Sequence, residues 1–349
     1  MSGEQKAHQR SVWKFIPGFA VSAFFLWRTL RSIPFATLQA TRIVLPAWLL
    51  VVVAGLLVGY SLRVVRWWLM MRQSGAPSLM VCGRVLLTSY AANNILPFRI
   101  GDFLRVFAYA GDLGASSSTI LSTVVLERLL DAFMLVLFLV IALAGKGHVL
   151  PLVWHGNRVD MMTFAESILA ACFIGLMLLL FGAGMLRRVL MALLDKLPLG
   201  SKGAKLKHWV ELLFEAVLKL DVTMRLMLLL TTVTVWACEG MIFVAIAKAI
   251  GVASGARGPW LALSLSNLSY LIPSSPGAIG TFEYFARLGM TSQGAATGPA
   301  GIYALLVHVV VLFTITAAGG VAFLVHRSHR VPPIAGLGDE LAALPTELP

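Results

Sequence analysis

Residues 43–62 read Ile-Val-Leu-Pro-Ala-Trp-Leu-Leu-Val-Val-Val-Ala-Gly-Leu-Leu-Val-Gly-Tyr-Ser-Leu, without a single charge. A helix needs about 20 largely apolar residues to cross the hydrocarbon of a bilayer, and this stretch meets that length unaided. Four more stretches do the same: Thr119–Leu143, Phe164–Gly184, Arg225–Ile250 and Ala300–Val325. A weaker one, Val12–Leu30, carries Trp13, Lys14 and Trp27 at its edges and has no convincing small-residue cleavage site. It reads as a short first span or an interfacial anchor rather than a signal peptide.

Composition agrees. The chain is 58% hydrophobic and 13% charged, with mean hydropathy +0.85. A soluble domain carries about twice that charge fraction. The net charge of +12 falls mostly between the apolar runs, where lipid headgroups would meet it. Anionic phospholipid is therefore the expected counter-charge, and nucleic acid is not. The cysteines, Cys82, Cys172 and Cys238, are odd in number and lie in or beside apolar runs. They form neither a disulfide frame nor a metal-binding pattern, so they are expected to pack as small apolar side chains, with no metal and no cofactor.

Excess lysine and arginine marks cytoplasmic loops. Residues 187–225 hold Arg187, Arg188, Lys196, Lys202, Lys205, Lys207 and Lys219, and are placed inside. Between 205 and 220, Leu206, Val210, Leu213, Val217 and Leu220 share one helical face, while Lys207, Glu211, Glu215 and Lys219 form a charged column on another. This predicts an amphipathic helix on the inner leaflet or against its own loops. The charge-poor loop from Gly145 to Asp160 goes outside, and the tail after Val325 inside. Arg63, Arg66, Arg72 and Arg84 would mark the inner end of the span finishing near Leu62. Arg28, Arg31 and Arg42 fit this orientation poorly, because it puts them outside.

Two apolar stretches, Leu79–Ala110 and Gly258–Met290, are interrupted near their middles. One reads Asn93-Asn94-Ile-Leu-Pro97-Phe-Arg99-Ile-Gly101-Asp102. The other reads Asn267-Leu-Ser-Tyr-Leu-Ile-Pro273-Ser274-Ser275-Pro276-Gly277-Ala-Ile-Gly280-Thr-Phe-Glu283. Each runs from asparagine through apolar residues to proline, with glycine four positions on and an acid shortly after. The loop assignments make each stretch enter and leave on one side, the first from inside and the second from outside. The expected fold is therefore all-α: a polytopic membrane helical bundle with two re-entrant, proline-broken hairpins in an inverted repeat. It would form a single membrane domain over 1–326, with repeats at about 43–143 and 225–325. The amphipathic connection is 186–221 and the disordered cytoplasmic tail is 327–349. Proline strips a donor from the helix, and freed backbone groups survive at membrane depth only inside protein or beside water. Inverted repeats with broken helices are a transporter signature. The plain alternative is a pair of kinked helices whose prolines only shape packing.

Several charges fall inside apolar runs. Arg99, Asp102 and Arg105 are spaced three apart after Pro97, while Glu127 and Asp131 are four apart with Arg128 beside them. Two carboxylates on one face need a cation, so Arg99 or Arg105 is the expected partner. Glu239 lies deep in a span and Glu283 follows the second break. A charge at the centre of a membrane helix costs about 2.5–3.5 kcal/mol on insertion scales, so it faces a partner or a polar path. Arginine suits phosphate. His308, lone on an apolar face, reads as a packed core residue, and Gly55 with Gly59 as a close helix contact.

These segments, with Arg63-Val-Val-Arg66-Trp67-Trp68, resemble the flippase-like membrane family named for the transmembrane region of lysylphosphatidylglycerol synthase, over about residues 13–326. Asp102 stands where that family often has glutamate. The resemblance implies a lipid-translocating module of a bacterial-type inner membrane, with both termini cytoplasmic. Its lipid would be a phospholipid, a modified phospholipid or a hopanoid or isoprenoid type. In the full-length synthase an aminoacyl-transfer domain follows, and this sequence shows none. No Walker A motif or acidic metal motif is present, so the chain is expected not to be an enzyme. The other readings are a membrane transferase or an accessory subunit serving a lipid-modifying enzyme, and a homo-oligomer stays open. The candidate lipid-contacting residues are Asn94, Pro97, Arg99, Gly101, Asp102, Arg105, Glu127, Arg128, Asp131, Glu239, Asn267, Pro273, Ser274, Ser275, Pro276, Gly277, Gly280 and Glu283. Glu239 and Glu283 are also candidates to carry a proton.

Overall fold

The computed structural model describes residues 16–72, 77–143, 152–154, 157–159, 161–196 and 200–329. The start of the Val12–Leu30 stretch and the tail beyond His329 lie outside the described residues. The described chain is almost entirely helical. Its one ribbon pairs Leu152–Trp154 antiparallel with Asn157–Val159, in the stretch read as an outside loop.

The order begins with α1 (Ile16–Leu30), α2 (Phe35–Ala40), α3 (Trp48–Met71) and α4 (Leu79–Ile95). It continues with α5 (Ile100–Phe107), α6 (Ala110–Leu113), α7 (Ser117–Leu143), α8 (Met161–Phe181), α9 (Ala183–Lys196) and α10 (Gly200–Leu218). It ends with α11 (Val222–Ala249), α12 (Gly258–Leu268), α13 (Thr281–Ser292) and α14 (Thr297–His329). Among the described residues, three helices are long and apolar enough to cross a membrane: Trp48–Met71, Val222–Ala249 and Thr297–Ser328. The chain is a multi-pass membrane protein. α7 has the length, but it carries Glu127, Arg128 and Asp131 mid-helix. α8 and α9 form a fourth unit bent by 105°, at Gly182-Ala183-Gly184, where glycine leaves the helix least supported.

One boundary differs from the sequence reading with a consequence. α3 does not stop near Leu62 but runs on to Met71, with Arg63 and Arg66 buried inside it. These two are not loop charges, because each meets a carboxylate that repays its burial. They therefore give no support to the orientation drawn from them. α14 likewise continues past Val325, burying His326 against Tyr109.

α3 and α11 form an antiparallel pair at the centre. The Val44 N–H, just before α3, donates to Ala249 O at 2.7 Å. Further along, Gly55 abuts Ile242, Gly59 abuts Cys238, and Arg66 reaches Thr232. Around this pair the packing recurs in matching sets. α4 lies on α14 as α12 lies on α7, and α5 lies on α7 as α13 lies on α14. α3 meets α7 as α11 meets α14.

Each interrupted stretch is a helix pair folded back at its break. α4 and α5 close on each other where Gly101 faces the Ser89 carbonyl and Asn93. α12 and α13 close where Gly289 faces the backbone of Ala262, and a Cβ there would stand 2.5 Å from the Ala262 nitrogen. α1 packs along α13 from the side.

α10 takes a position between the sequence alternatives. Phe214, Val217 and Leu220 are buried, but Leu206 is exposed, so part of the apolar face meets protein. The Ser122 hydroxyl on α7 donates to Leu212 O at 3.1 Å. Among its described charges, Lys207 pairs with Asp195, Glu211 with Arg187 and Glu215 with Lys219.

Candidate functional site

The two breaks are built alike. In the first, α4 ends at Ile95, a proline-led 3-10 turn covers Pro97–Arg99, and α5 begins at Ile100. Arg99 sits in the left-handed region, at φ 54°. In the second, 3-10 turns cover Ser269–Leu271 and Pro276–Ala278, and α13 begins at Thr281. Ala278 (φ 54°) and Gly280 (φ 94°) are left-handed there. The sequence register matched Pro97 with Pro273 and Gly101 with Gly277. The structure instead matches the two proline-led turns, so Pro97 answers to Pro276, three residues later. In both helices that follow, the third residue is the acid, Asp102 or Glu283.

The breaks meet. Gly277 stands beside the Asn94 carbonyl and Leu312, and the Arg99 guanidinium lies 5.5 Å from the centre of the Tyr270 ring. The Asn94 amide donates to Thr316 Oγ1 at 3.0 Å. Thr316 is near the middle of α14, so this junction lies near mid-span. Asn267 donates to Leu263 O within its own helix. Pro273 is exposed, and Ser274 and Ser275 are partly exposed. The Ser275 N–H donates to the Ser22 hydroxyl of α1 at 2.7 Å, and the backbone of Gly280 presses on the Ser22 carbonyl. A side chain at Gly280 would collide there as well as being strained at its positive φ.

A second group of candidates forms a buried ionic network beside the central pair. Arg105 binds Glu127 at 3.0 Å and Asp102 at 3.4 Å. Arg66 binds Asp131 at 2.8 Å, and Arg63 binds Glu239 at 3.1 Å. Arg128 reaches Glu127 at 3.0 Å and Asp102 and Asp131 at 3.6 Å. The Tyr90 hydroxyl donates to Glu127 at 3.0 Å, and the Trp236 indole donates to Asp131 at 3.0 Å. Trp67 lies under Arg105, while Tyr60 and Trp236 flank Arg63. Four arginines face four carboxylates, so the network is neutral. That balance is what permits its burial, because a lone buried charge is strongly destabilising.

The network therefore draws on two arginines that were expected to mark the inner end of a span: from α3, Arg66 holds Asp131 and lies near Glu127, and Arg63 holds Glu239. Arg105 is a partner as expected. Arg99 is not: it forms no ion pair among the described residues, because its left-handed backbone takes it off the α5 face shared by Asp102 and Arg105. Asp102 also exchanges two hydrogen bonds with Asn93, which the sequence reading did not single out.

Glu283 has a local task. It accepts the Gly280 N–H at 2.6 Å, capping α13, and meets His308 Nδ1 at 2.8 Å. His308 is buried as expected but not lone, since it also stacks on Phe282 at 4.2 Å. Among the described residues, no group of three His, Cys, Asp or Glu could hold a metal.

The family model described as Lysylphosphatidylglycerol synthase TM region matches residues 15–319. No curated protein and no solved structure gives a significant match. That match spans both breaks, the central antiparallel pair and the whole ionic network, and the chain belongs to the lysylphosphatidylglycerol synthase transmembrane-region family.

Proposed function

We propose that this protein moves a lipid between membrane leaflets, acting as a carrier rather than an enzyme. One observation carries the reading: two proline-broken helix pairs meet tip to tip near mid-span, with Asn94 against Gly277 and Arg99 against Tyr270. Backbone at such a break lacks helical partners and is tolerated only inside protein or along a wet path. Helix ends opened there carry partial charge that can hold an ionic headgroup. The antiparallel α3–α11 pair and the matched packing around it support an inverted repeat with re-entrant hairpins, the arrangement from which alternating-access transporters are built. The family supports membrane lipid handling in general.

In this reading the neutral network is the framework, and the junction of the breaks is the path. Asn94, Pro97, Arg99, Asn267, Pro273, Ser274, Ser275, Pro276 and Gly277 line or shape that path. Gly101 and Gly280 allow the close packing that holds it, and Glu283 stiffens its rim. Localisation to a bacterial-type inner membrane with cytoplasmic termini belongs to the same proposal.

The test is a flip assay in proteoliposomes with fluorescent phospholipids and dithionite quenching. Acceleration over empty liposomes, abolished by Arg99→Ala in a protein that still folds, is the expected result. Wild-type rates equal to empty liposomes across several lipid classes would overturn the reading in favour of an accessory or transferase role.

A further inference from the structure

The two hairpins differ in one respect. On α13, Tyr284 and Phe285 are covered by Phe25 of α1, with ring centres 4.7 and 5.8 Å apart. Counting from the first helical residue of each, Phe103 of α5 answers to Tyr284, and Phe107 to Leu288. Nothing among the described residues covers that face of α5. Phe103 and Phe107 are 57% and 61% exposed, and their rings stack on each other. Ile100 continues the same row toward the break.

At the head of this open face stands Arg99, an exposed residue near mid-span whose guanidinium lies over the Tyr270 ring and has no carboxylate partner among the described residues. The other four arginines of the region are matched by four acids, so Arg99 is a surplus positive charge. A cation at that depth beside lipid-facing aromatics calls for an anion. An anion that enters along an apolar, lipid-facing row brings its own chains, as the phosphate of a phospholipid does, and guanidinium binds phosphate in a two-pronged fashion.

We infer that α5 is the lateral entry for an anionic phospholipid, with the phosphate seated at Arg99 and the acyl chains along Ile100, Phe103 and Phe107, while on α13 the counterpart of Phe103, Tyr284, is covered by α1 and Leu288 stays exposed. The inference deepens the transport reading above and rests on it for its role, but occupancy of the seat can be measured without transport.

The full chain is reconstituted in vesicles of phosphatidylcholine and phosphatidylglycerol at equal mole fraction. The photoreactive residue p-benzoylphenylalanine replaces Phe103 or, on the counterpart face, Leu288. Irradiation followed by intact mass then identifies the lipid attached. The expected result is at least about fivefold more phosphatidylglycerol than phosphatidylcholine at position 103 and no preference at 288. Arg99→Gln brings the ratio at 103 to parity, and Arg99→Lys retains part of it. Arg99→Gly, which suits the left-handed backbone, replaces Arg99→Gln if that variant does not fold. Equal ratios at both positions, a ratio indifferent to Arg99, or cross-linking of position 103 to a second copy of the chain would each overturn the inference. A selective adduct without lipid flipping removes the transport reading and leaves the seat. Flipping with an unselective adduct does the reverse.

Discussion

Arg63 and Glu239 meet at 3.1 Å although 176 residues separate them in the chain, and both side chains are about nine-tenths buried. They join α3 to α11 at the middle of the antiparallel pair. Removing one partner of a buried pair costs about 3–5 kcal/mol, because the other is left uncompensated. Glu239→Gln should therefore lower thermal stability in detergent markedly. Adding Arg63→Gln should recover part of the loss, so that the double variant is less damaged than the sum of the singles. A thermal-shift cycle of the four proteins checks this, and strict additivity would show that the pair is not coupled.

Glu127 is the most heavily held carboxylate, accepting from Arg105, Arg128 and Tyr90 and lying 3.8 Å from Arg66. Glu127→Gln keeps the shape and removes the charge to which three arginines are tuned. It should destabilise more than Asp102→Asn, whose site is less enclosed. Unfolding temperature measured on both variants decides the order.

Gly289 and Gly320 make a matched pair of controls. At Gly289 an added methyl meets the Ala262 backbone, whereas at Gly320 it meets nothing within 4 Å. Gly289→Ala should cost about 1–3 kcal/mol as the second hairpin is forced open. Gly320→Ala should gain about 0.5–1 kcal/mol from helix propensity. Opposite signs in a thermal-stability assay are the expected outcome.

Ser22→Ala removes the acceptor for the Ser275 N–H without disturbing the α1 backbone. A lost neutral hydrogen bond costs about 0.5–1.5 kcal/mol, so global stability should change little. Hydrogen exchange by mass spectrometry should instead show faster exchange confined to peptides around 272–280. Unchanged exchange there would mean that α1 does not secure the break.

Much of the architecture was legible because length and hydropathy alone mark a membrane helix. Arg63 and Arg66 were misread for the same reason: a charge ends an apolar window, whether or not it has a partner. Gly55, Gly59 and Arg63 are spaced four apart, and that row, continuing through Arg66 and Trp67, was the signal that the helix goes on. The register of the second break was hidden because Pro273–Gly277 and Pro276–Gly280 have the same spacing. The turn led by Pro276, in which Ala278 is left-handed as Arg99 is after Pro97, separates them. The His308–Glu283 contact joins two helices, and no local pattern announces it. Arg105 was found among the partners of Glu127 because it follows the first break directly on a helix packed against α7.

The neutrality of the ionic network also constrains how the protein is made. The segments synthesised first supply Arg63, Arg66, Arg105 and Arg128 against only Asp102, Glu127 and Asp131, which leaves one positive charge unmatched. The fourth acid, Glu239, emerges from the ribosome more than a hundred residues after Arg128. The early helices therefore cannot reach their final packing when they enter the membrane, and the last helices must arrive before the first are finished.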